Sequence, residues 1–73
     1  MTSDEAISLA KQTAQQEGWA WDEPARASKH RRFGVVGAAY WEVVSNANVI
    51  GRNVRIRIDD ATGEVLQKNF LPR

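Results

Sequence analysis

The chain of 73 residues has no cysteine and a single histidine, His30. Without cysteine it forms no disulfide, carries no thiol nucleophile and offers no thiolate ligand for zinc. One histidine is too few for a multi-histidine metal site within one chain. We therefore expect no metal site and no cofactor.

Long apolar runs are absent as well. No stretch reaches 18 apolar residues, so we expect no membrane-spanning helix. The first five residues lack the basic and apolar regions of a signal peptide, which predicts a cytoplasmic protein. A chain of this length is expected to form a single domain, residues 1 to 73, with one small core between two layers of secondary structure.

The charges are distributed unevenly along the chain. Residues 1 to 25 carry five acidic side chains against one lysine, a net charge of −4, and residues 26 to 73 carry nine basic side chains against four acidic ones, a net charge of +5. Two interpretations stay open: the halves neutralise each other on folding, or a basic surface serves an acidic partner or nucleic acid. Arginine outnumbers lysine, and its planar guanidinium binds carboxylates and phosphates well.

The sequence predicts a helix at residues 3 to 17. Thr2 and Glu5 have the spacing of a capping box, and Gly18 is suited to a left-handed residue that ends the helix. Apolar side chains at helical spacing predict the buried stripe. That stripe contains Ile7, Ala10 and Ala14, with Ala6 beside them.

Strand character follows in several segments. We predict strands at residues 40 to 45, 53 to 59 and 64 to 70. These segments are rich in β-branched and aromatic residues or alternate between apolar and polar side chains. Residues 25 to 33 alternate weakly and carry charge, which predicts an edge strand. Residues 34 to 37, which begin and end with glycine, are expected to form a hairpin loop.

The segment from 53 to 59 alternates strictly between apolar and polar side chains. One face of its sheet is therefore buried and the other is wet. The helix is the element available to cover the apolar face. The predicted fold is α+β, with one N-terminal helix packed on one face of a three- to four-stranded antiparallel sheet. The predicted core consists of Ile7, Ala10, Ala14, Trp41, Val43, Val54, Ile56 and Ile58.

A turn is predicted after this strand. Asp60 at the first position and Gly63 at the fourth fit a type I turn, with Gly63 in the left-handed bulge position. The bulge decides whether Val65 or Leu66 faces the core, and the sequence leaves both alternatives open.

Several short motifs lie between residues 41 and 66. They are Trp41-x-Val43, Gly51, Val54-x-Ile56-x-Ile58-Asp59 and Thr62-Gly63-Glu64-Val65-Leu66. Together they resemble a PepSY domain, a family found in the propeptides of thermolysin-like metallopeptidases and in small bacterial proteins. The resemblance covers residues 3 to 67. It implies an α+β fold, no catalytic residues and action by binding, often as an inhibitor. Small bacterial immunity proteins, with a similar Thr-Gly-Glu turn, are a more distant resemblance.

Residue types suited to catalysis are present, but nothing in the sequence brings them together. The carboxylates around the predicted turn are those of Asp59, Asp60 and Glu64. Their spacing is not that of an EF-hand loop, and Asp60 is expected to cap the turn, so we interpret them as structural. Ser45, Thr62 and His30 form no recognisable catalytic motif. We therefore expect that the protein is not an enzyme.

The polar face of the sheet holds the candidate binding residues. Arg55 and Arg57 lie on it by alternation, and Tyr40 joins them because its parity is opposite to that of Trp41. Arginine and aromatic residues dominate interface hot spots. Cross-strand pairing of these arginines with Glu42 or Glu64 is a simpler alternative. Trp19 and Trp21 share a face, so both are buried or both form an exposed aromatic anchor. The predicted partner-binding residues are Arg55, Arg57, Tyr40, Trp19 and Trp21.

Two functional hypotheses follow. In the first, the chain is a non-enzymatic module that binds another protein, and inhibition or immunity is one form of this function. We expect it to be a monomer or a weak homodimer. In the alternative, it binds nucleic acid through its basic residues. Those residues are Lys29, Arg31, Arg32 and Arg52, together with Arg55 and Arg57.

Overall fold

A computed structural model describes residues 1–31 and 38–72 of the chain. The elements, in chain order, are α1 (Ser3–Glu17), β1 (Arg26–Arg31), β2 (Ala39–Val44), β3 (Asn53–Asp59) and β4 (Val65–Leu71). The strands form one antiparallel sheet in the order β1-β2-β3-β4, and α1 packs against one face of it. The predicted α+β fold is confirmed. The hairpin loop predicted at 34 to 37 lies outside the described residues.

The helix has the predicted bounds because both of its ends are capped. The Thr2 hydroxyl accepts a hydrogen bond from the Glu5 amide, and the Glu5 carboxylate accepts one from the Thr2 amide. Gly18 ends the helix in the left-handed region, with φ at 75°. The fully buried stripe consists of Ala6, Ala10 and Ala14, whereas Ile7 is half-buried at its side. Because these three side chains on successive turns are small, the helix backbone can approach the sheet closely.

The core lies between the alanine stripe and the middle of the sheet. Val43 of β2 faces Ile56 of β3 across the ladder, and these two side chains are fully buried with Val54 and Ile58. Trp41 is partly buried at the border of this cluster. The observed core thus contains the predicted residues, except that Ile7 and Trp41 form its rim. The helix in the described structure is not long and apolar enough to cross a membrane.

A bulge between β3 and β4 decides the orientation of β4. The register shifts between Arg57 and Ile58, so that Ile58 pairs with Val65 while Arg57 pairs with Gln67. Val65 packs against the core and Leu66 is exposed. The bulge settles the alternative that the sequence left open in favour of Val65.

The turn before β4 begins one residue earlier than predicted. The Asp59 carboxylate accepts hydrogen bonds from the amides of Ala61 and Thr62, and the Asp59 carbonyl accepts one from Gly63. The prediction that Asp60 caps this turn is therefore wrong, because Asp59 occupies the capping position. Gly63 does adopt the predicted left-handed conformation, with φ at 75°.

Candidate functional site

The sheet face opposite α1, here called the open face, carries three rows of side chains. Strand register places residues of neighbouring strands side by side in each row, and alternation directs them away from the core. The first row is Arg26, Val44, Arg55 and Asn69. The middle row is Ser28, Glu42, Arg57 and Gln67. The third row is His30, Tyr40 and Asp59. No helix or strand among residues 1–31 and 38–72 lies over these rows.

An ordered cluster occupies the middle and third rows. The rings of His30 and Tyr40 stack with their centroids 5.3 Å apart. The Arg57 guanidinium lies over the ring of Tyr40, 5.4 Å from its centroid. Arg57 also donates a hydrogen bond to the Glu42 carboxylate at 3.2 Å. The cluster therefore presents one aromatic pair and one cation in a fixed arrangement.

Three of its four members were predicted on this face and His30 was not. Tyr40 and Arg57 lie on the open face as the alternation predicted, and the expected pairing of an arginine with Glu42 is present. His30 joins them because the β1–β2 register sets it directly opposite Tyr40. The weak alternation of β1 did not indicate which of its side chains face Tyr40, so the stack was not predicted.

His30 also contacts a serine. The Ser28 hydroxyl lies 3.2 Å from His30 Nε2, which is the pair of groups that a serine nucleophile and its base require. No carboxylate hydrogen-bonds the ring of His30 within the described residues, so the group that would orient the base in a catalytic triad is missing there. Ser45 is buried, and its hydroxyl is occupied by the Val54 amide.

A second polar cluster lies on the helix side of the sheet. Trp41 donates its indole N–H to the Asp60 carboxylate at 2.6 Å. Lys29 lies 3.6 Å from the same carboxylate and 5.9 Å from the Trp41 ring centroid. The hydrogen bond from Trp41, aided by the charge of Lys29, lowers the pKa of Asp60 below its ordinary value. These contacts attach the turn after β3 to β1 and β2.

The eight residues between β2 and β3 form a loop held by one side chain. The Asn53 amide nitrogen donates to the carbonyls of Ser45, Asn46 and Val49, and its oxygen accepts from the Gly51 amide. Asn53 is buried. Two apolar side chains of the loop are nevertheless directed outward. They are Val49, which is 55% exposed, and Ile50, which is 95% exposed.

The predicted tryptophan anchor is not on the open face. Trp19 stacks on Phe70 with a centroid distance of 5.9 Å, and both Trp19 and Trp21 pack against the core as partly buried residues. Trp21 donates its indole N–H to Glu23. Of the two alternatives that the sequence left open, this packing favours burial. The aromatic alternation at 19 to 21 reflects packing beside the helix end.

The basic residues of the nucleic-acid hypothesis do not share one surface. Lys29 lies opposite Trp41 and therefore on the helix side, and Arg31 has the same parity. Arg52 pairs with Asp22 at 3.3 Å in the β2–β3 loop. Arg55 and Arg57 lie on the open face. Arg32 is outside the described residues.

The acidic residues after β3 are not arranged around a common cation. Asp59 binds the amides of the turn, and Asp60 binds Trp41. Within the part of the chain that the structure describes, no group of three histidine, aspartate or glutamate residues could hold a metal ion.

Comparison with known proteins gives no relative. No family model, curated protein or solved structure matches the chain.

Proposed function

We propose that the chain is a non-enzymatic protein-binding module that docks the open face of its sheet on another protein. The observation that carries this proposal is the ordered His30–Tyr40–Arg57 cluster, which is aligned across three strands on a face that the described elements leave uncovered. A purely solvated face needs no such stacking, and lysine and glutamate would serve it equally well.

The physics of interfaces supports this use of the cluster. Tyrosine and arginine are the residues that most often dominate binding energy. Here Tyr40 contacts both His30 and Arg57, and Glu42 accepts a hydrogen bond from the guanidinium of Arg57. Side chains that are already ordered lose less conformational entropy when they bind, so the free energy of association is more favourable.

The resemblance to PepSY domains extends the proposal. Members of that family act by binding, often as inhibitors, and the more distantly similar immunity proteins neutralise a toxin. We propose that the protein acts in the cytoplasm as a monomer or weak homodimer.

A nucleic-acid-binding function is less well supported. A polyphosphate needs several cations along one path, whereas Lys29 and Arg31 lie on the helix side of β1 and Arg55 and Arg57 on the opposite face. Arg52 is paired with Asp22. The two hypotheses differ in their response to salt, because the release of counterions from nucleic acid makes affinity fall steeply with salt concentration.

The proposal predicts that Arg55→Ser combined with Arg57→Ser weakens the partner by about 2 kcal/mol or more if either arginine is an anchor. The partner is first isolated by a pull-down with the whole chain, and its affinity is then measured by calorimetry. The fold should survive, since neither side chain enters the core and the partly exposed Arg57–Glu42 pair contributes about 1 kcal/mol at most.

The matched control removes two charges from elsewhere. Lys11→Ser combined with Arg31→Ser takes one exposed cation from α1 and one from the helix side of β1, and it should leave the affinity unchanged. Full affinity in a folded Arg55/Arg57 variant would contradict the proposal and move the binding surface to the Lys29–Arg31 edge or to the helix side.

A further inference from the structure

The first row of the open face carries two arginines on either side of one aliphatic residue. Val44 pairs with Arg26 on one side and with Arg55 on the other. Directly opposite residues have Cβ atoms about 5 Å apart, so the two arginine Cβ atoms are separated by roughly 10 Å. Both arginines are exposed, and Val44 between them is half-buried.

The positive charge of this row is not compensated by its neighbours on the face. Glu42, in the middle row, is bonded to Arg57. One carboxylate oxygen of Asp59, in the third row, binds two amides of the turn. Arg26 and Arg55 form no ion pair with any residue in the described ranges. The guanidinium groups of Arg26 and Arg55 are therefore available to bind an anion from another molecule.

A groove of about 250 Å³ begins at Arg55 and continues to the end of β4. Its other lining residues are Asn53, Asn69, Phe70 and Leu71. The exposed apolar side chain among them is that of Leu71, because the Phe70 ring stacks on Trp19 at the helix side. The Asn53 amide is already occupied by the β2–β3 loop. The groove is thus apolar at one end and charged at the other, and it suits an apolar side chain that stands next to a carboxylate.

We infer that this end of the open face binds an extended acidic segment of a protein, with carboxylates on Arg26 and Arg55 and an apolar side chain in the groove. The inference rests on the proposed function and assigns the chemistry of its partner. Carboxylate and guanidinium form paired hydrogen bonds that specify orientation as well as charge.

Two features of the face favour a protein carboxylate over a nucleic-acid phosphate. The aromatic ring that would stack a base, Tyr40, is already in contact with His30 and Arg57. The row offers only two cations, Arg26 and Arg55, whereas a polyphosphate gains its affinity from several cations along one path. A short segment with alternating acidic and apolar residues avoids both obstacles.

The test is an NMR titration of the whole chain labelled with ¹⁵N. The probe is a capped peptide, Glu-Leu-Glu-Leu-Glu, and its matched control has glutamine in place of each glutamate. We expect the acidic peptide to shift the amide signals of Val44, Arg55, Asn69 and Leu71, and the glutamine peptide to bind at least tenfold more weakly. Arg55→Gln should weaken the acidic peptide about tenfold, since a hydrogen bond to a charged group contributes enough for that change. Arg31→Gln, which removes the same charge from the other face, should have no effect.

Three results would overturn the inference: equal affinity for the glutamine peptide, no binding of the acidic peptide at millimolar concentration, or tighter binding of an eight-nucleotide oligothymidylate. The proposed function is tested separately by the Arg55/Arg57 double variant and the isolated partner. If the partner depends on the open face while the acidic peptide does not bind, the inference fails and the proposed function stands. If the partner ignores the open face, the proposed function fails.

Discussion

At the scale of single residues, Asn53 makes hydrogen bonds that its position in the sequence did not indicate. It opens a strand and has the parity of the exposed arginines, so alternation assigns it to the wet face. Its amide instead satisfies four backbone groups of the β2–β3 loop. A prediction based on periodicity cannot detect this role, because the partners are backbone atoms whose positions depend on the loop itself.

Asn53→Ala is expected to destabilise the protein by roughly 2 kcal/mol or more, since one buried amide and several carbonyls lose their partners. Asn46, which holds a positive φ angle of 52° in this loop, would lose the hydrogen bond from Asn53 to its carbonyl. Urea denaturation measures the change. Asn48→Ala is the control, since Asn48 is exposed in the same loop and should cost little. Equal stabilities for the two variants would contradict the assigned role.

Gly63 illustrates a residue whose conformation was predictable. The Asp-x-x-Gly spacing indicated positive φ, and the reason is local, because L-residues with side chains are strained there. A Cβ at this position would meet Leu9 and Met1 at 3.7 Å, an ordinary contact. The cost of a substitution therefore comes from the backbone.

Gly63→Val should lower the free energy of unfolding by about 1–3 kcal/mol, measured by thermal and urea denaturation. Gly63→Asn separates backbone from packing effects, because asparagine tolerates the left-handed region better than a β-branched residue. We expect Asn to be clearly less destabilising than Val. Unchanged stability in the valine variant would contradict the conformation assigned to this turn.

The two consecutive aspartates show where a local pattern is insufficient. Asp59 and Asp60 are chemically identical candidates for the cap, and only the tertiary contact of Asp60 with Trp41 separates their roles. Trp41 is 19 residues away, so the spacing of turn residues gives no information about it.

Asp60 should also make stability depend on pH. The Trp41 hydrogen bond and the charge of Lys29 lower its pKa in the folded protein below the ordinary value of 3.8. The folded state then binds fewer protons than the unfolded state, so this stabilisation is complete above pH 3.8 and is lost as the pH falls through the lower folded-state pKa.

Asp60→Asn keeps an acceptor for the Trp41 indole but removes the titration. We expect the variant to be less stable than the wild-type protein near neutral pH and the two curves of unfolding free energy to converge below pH 3.8. Denaturant titrations at a series of pH values give these curves. A constant difference across the acidic range would show that Asp60 does not contribute through its charge.

At the scale of elements, the most accurate predictions concern α1 and β3, whose own residues carry the caps or the alternation that define them. The helix has caps at both ends, and its bounds agree with the prediction to the residue. β3 alternates strictly because it is central, with a partner on each side and the helix over one face. In both elements the local pattern and the tertiary environment favour the same structure.

The weaker predictions concern elements defined by their neighbours. β1 shows little alternation because it is an edge strand whose side chains are almost all exposed. The bounds of β2 and β4 each differ by one residue from those predicted, since Ser45 leaves the ladder to bind the Val54 amide and the bulge shifts β4. Trp19 is placed by its stack on Phe70, a contact between distant parts of the chain.

Ile56 tests the agreement between the strand pattern and the packing. It is fully buried at the centre of the sheet, opposite Val43. Ile56→Ala should cost about 2–5 kcal/mol, since it leaves a cavity beneath the closely packed alanine stripe. Circular dichroism during urea denaturation reports the loss, which is large for a domain of this size. Leu66→Ala, at a side chain 39% exposed, is the control and should cost much less.

At the scale of the whole molecule, the charge asymmetry produces ion pairs between the acidic first third of the chain and the basic remainder. Glu17 at the end of α1 accepts a hydrogen bond from Lys68 of β4 at 2.7 Å, and Asp22 pairs with Arg52. The acidic first third is thus neutralised in part by the basic remainder, as one of the two interpretations held. Among the described residues, Arg26 and Arg55 on the open face form no ion pair, and the same holds for Lys11 on α1 and Arg31 on the helix side of β1.

The strand order described above leaves β1 and β4 as the outer strands, each with a line of backbone donors and acceptors directed away from the sheet. Such lines can recruit strands from other molecules and start fibril growth. β1 opposes this with Arg26, Lys29 and Arg31, and β4 opposes it with Lys68 and an irregular register. A chain this rich in sheet therefore carries its protection against ordered aggregation in the charges of β1 and the bulge of β4. Engineering of the open face should leave both unchanged.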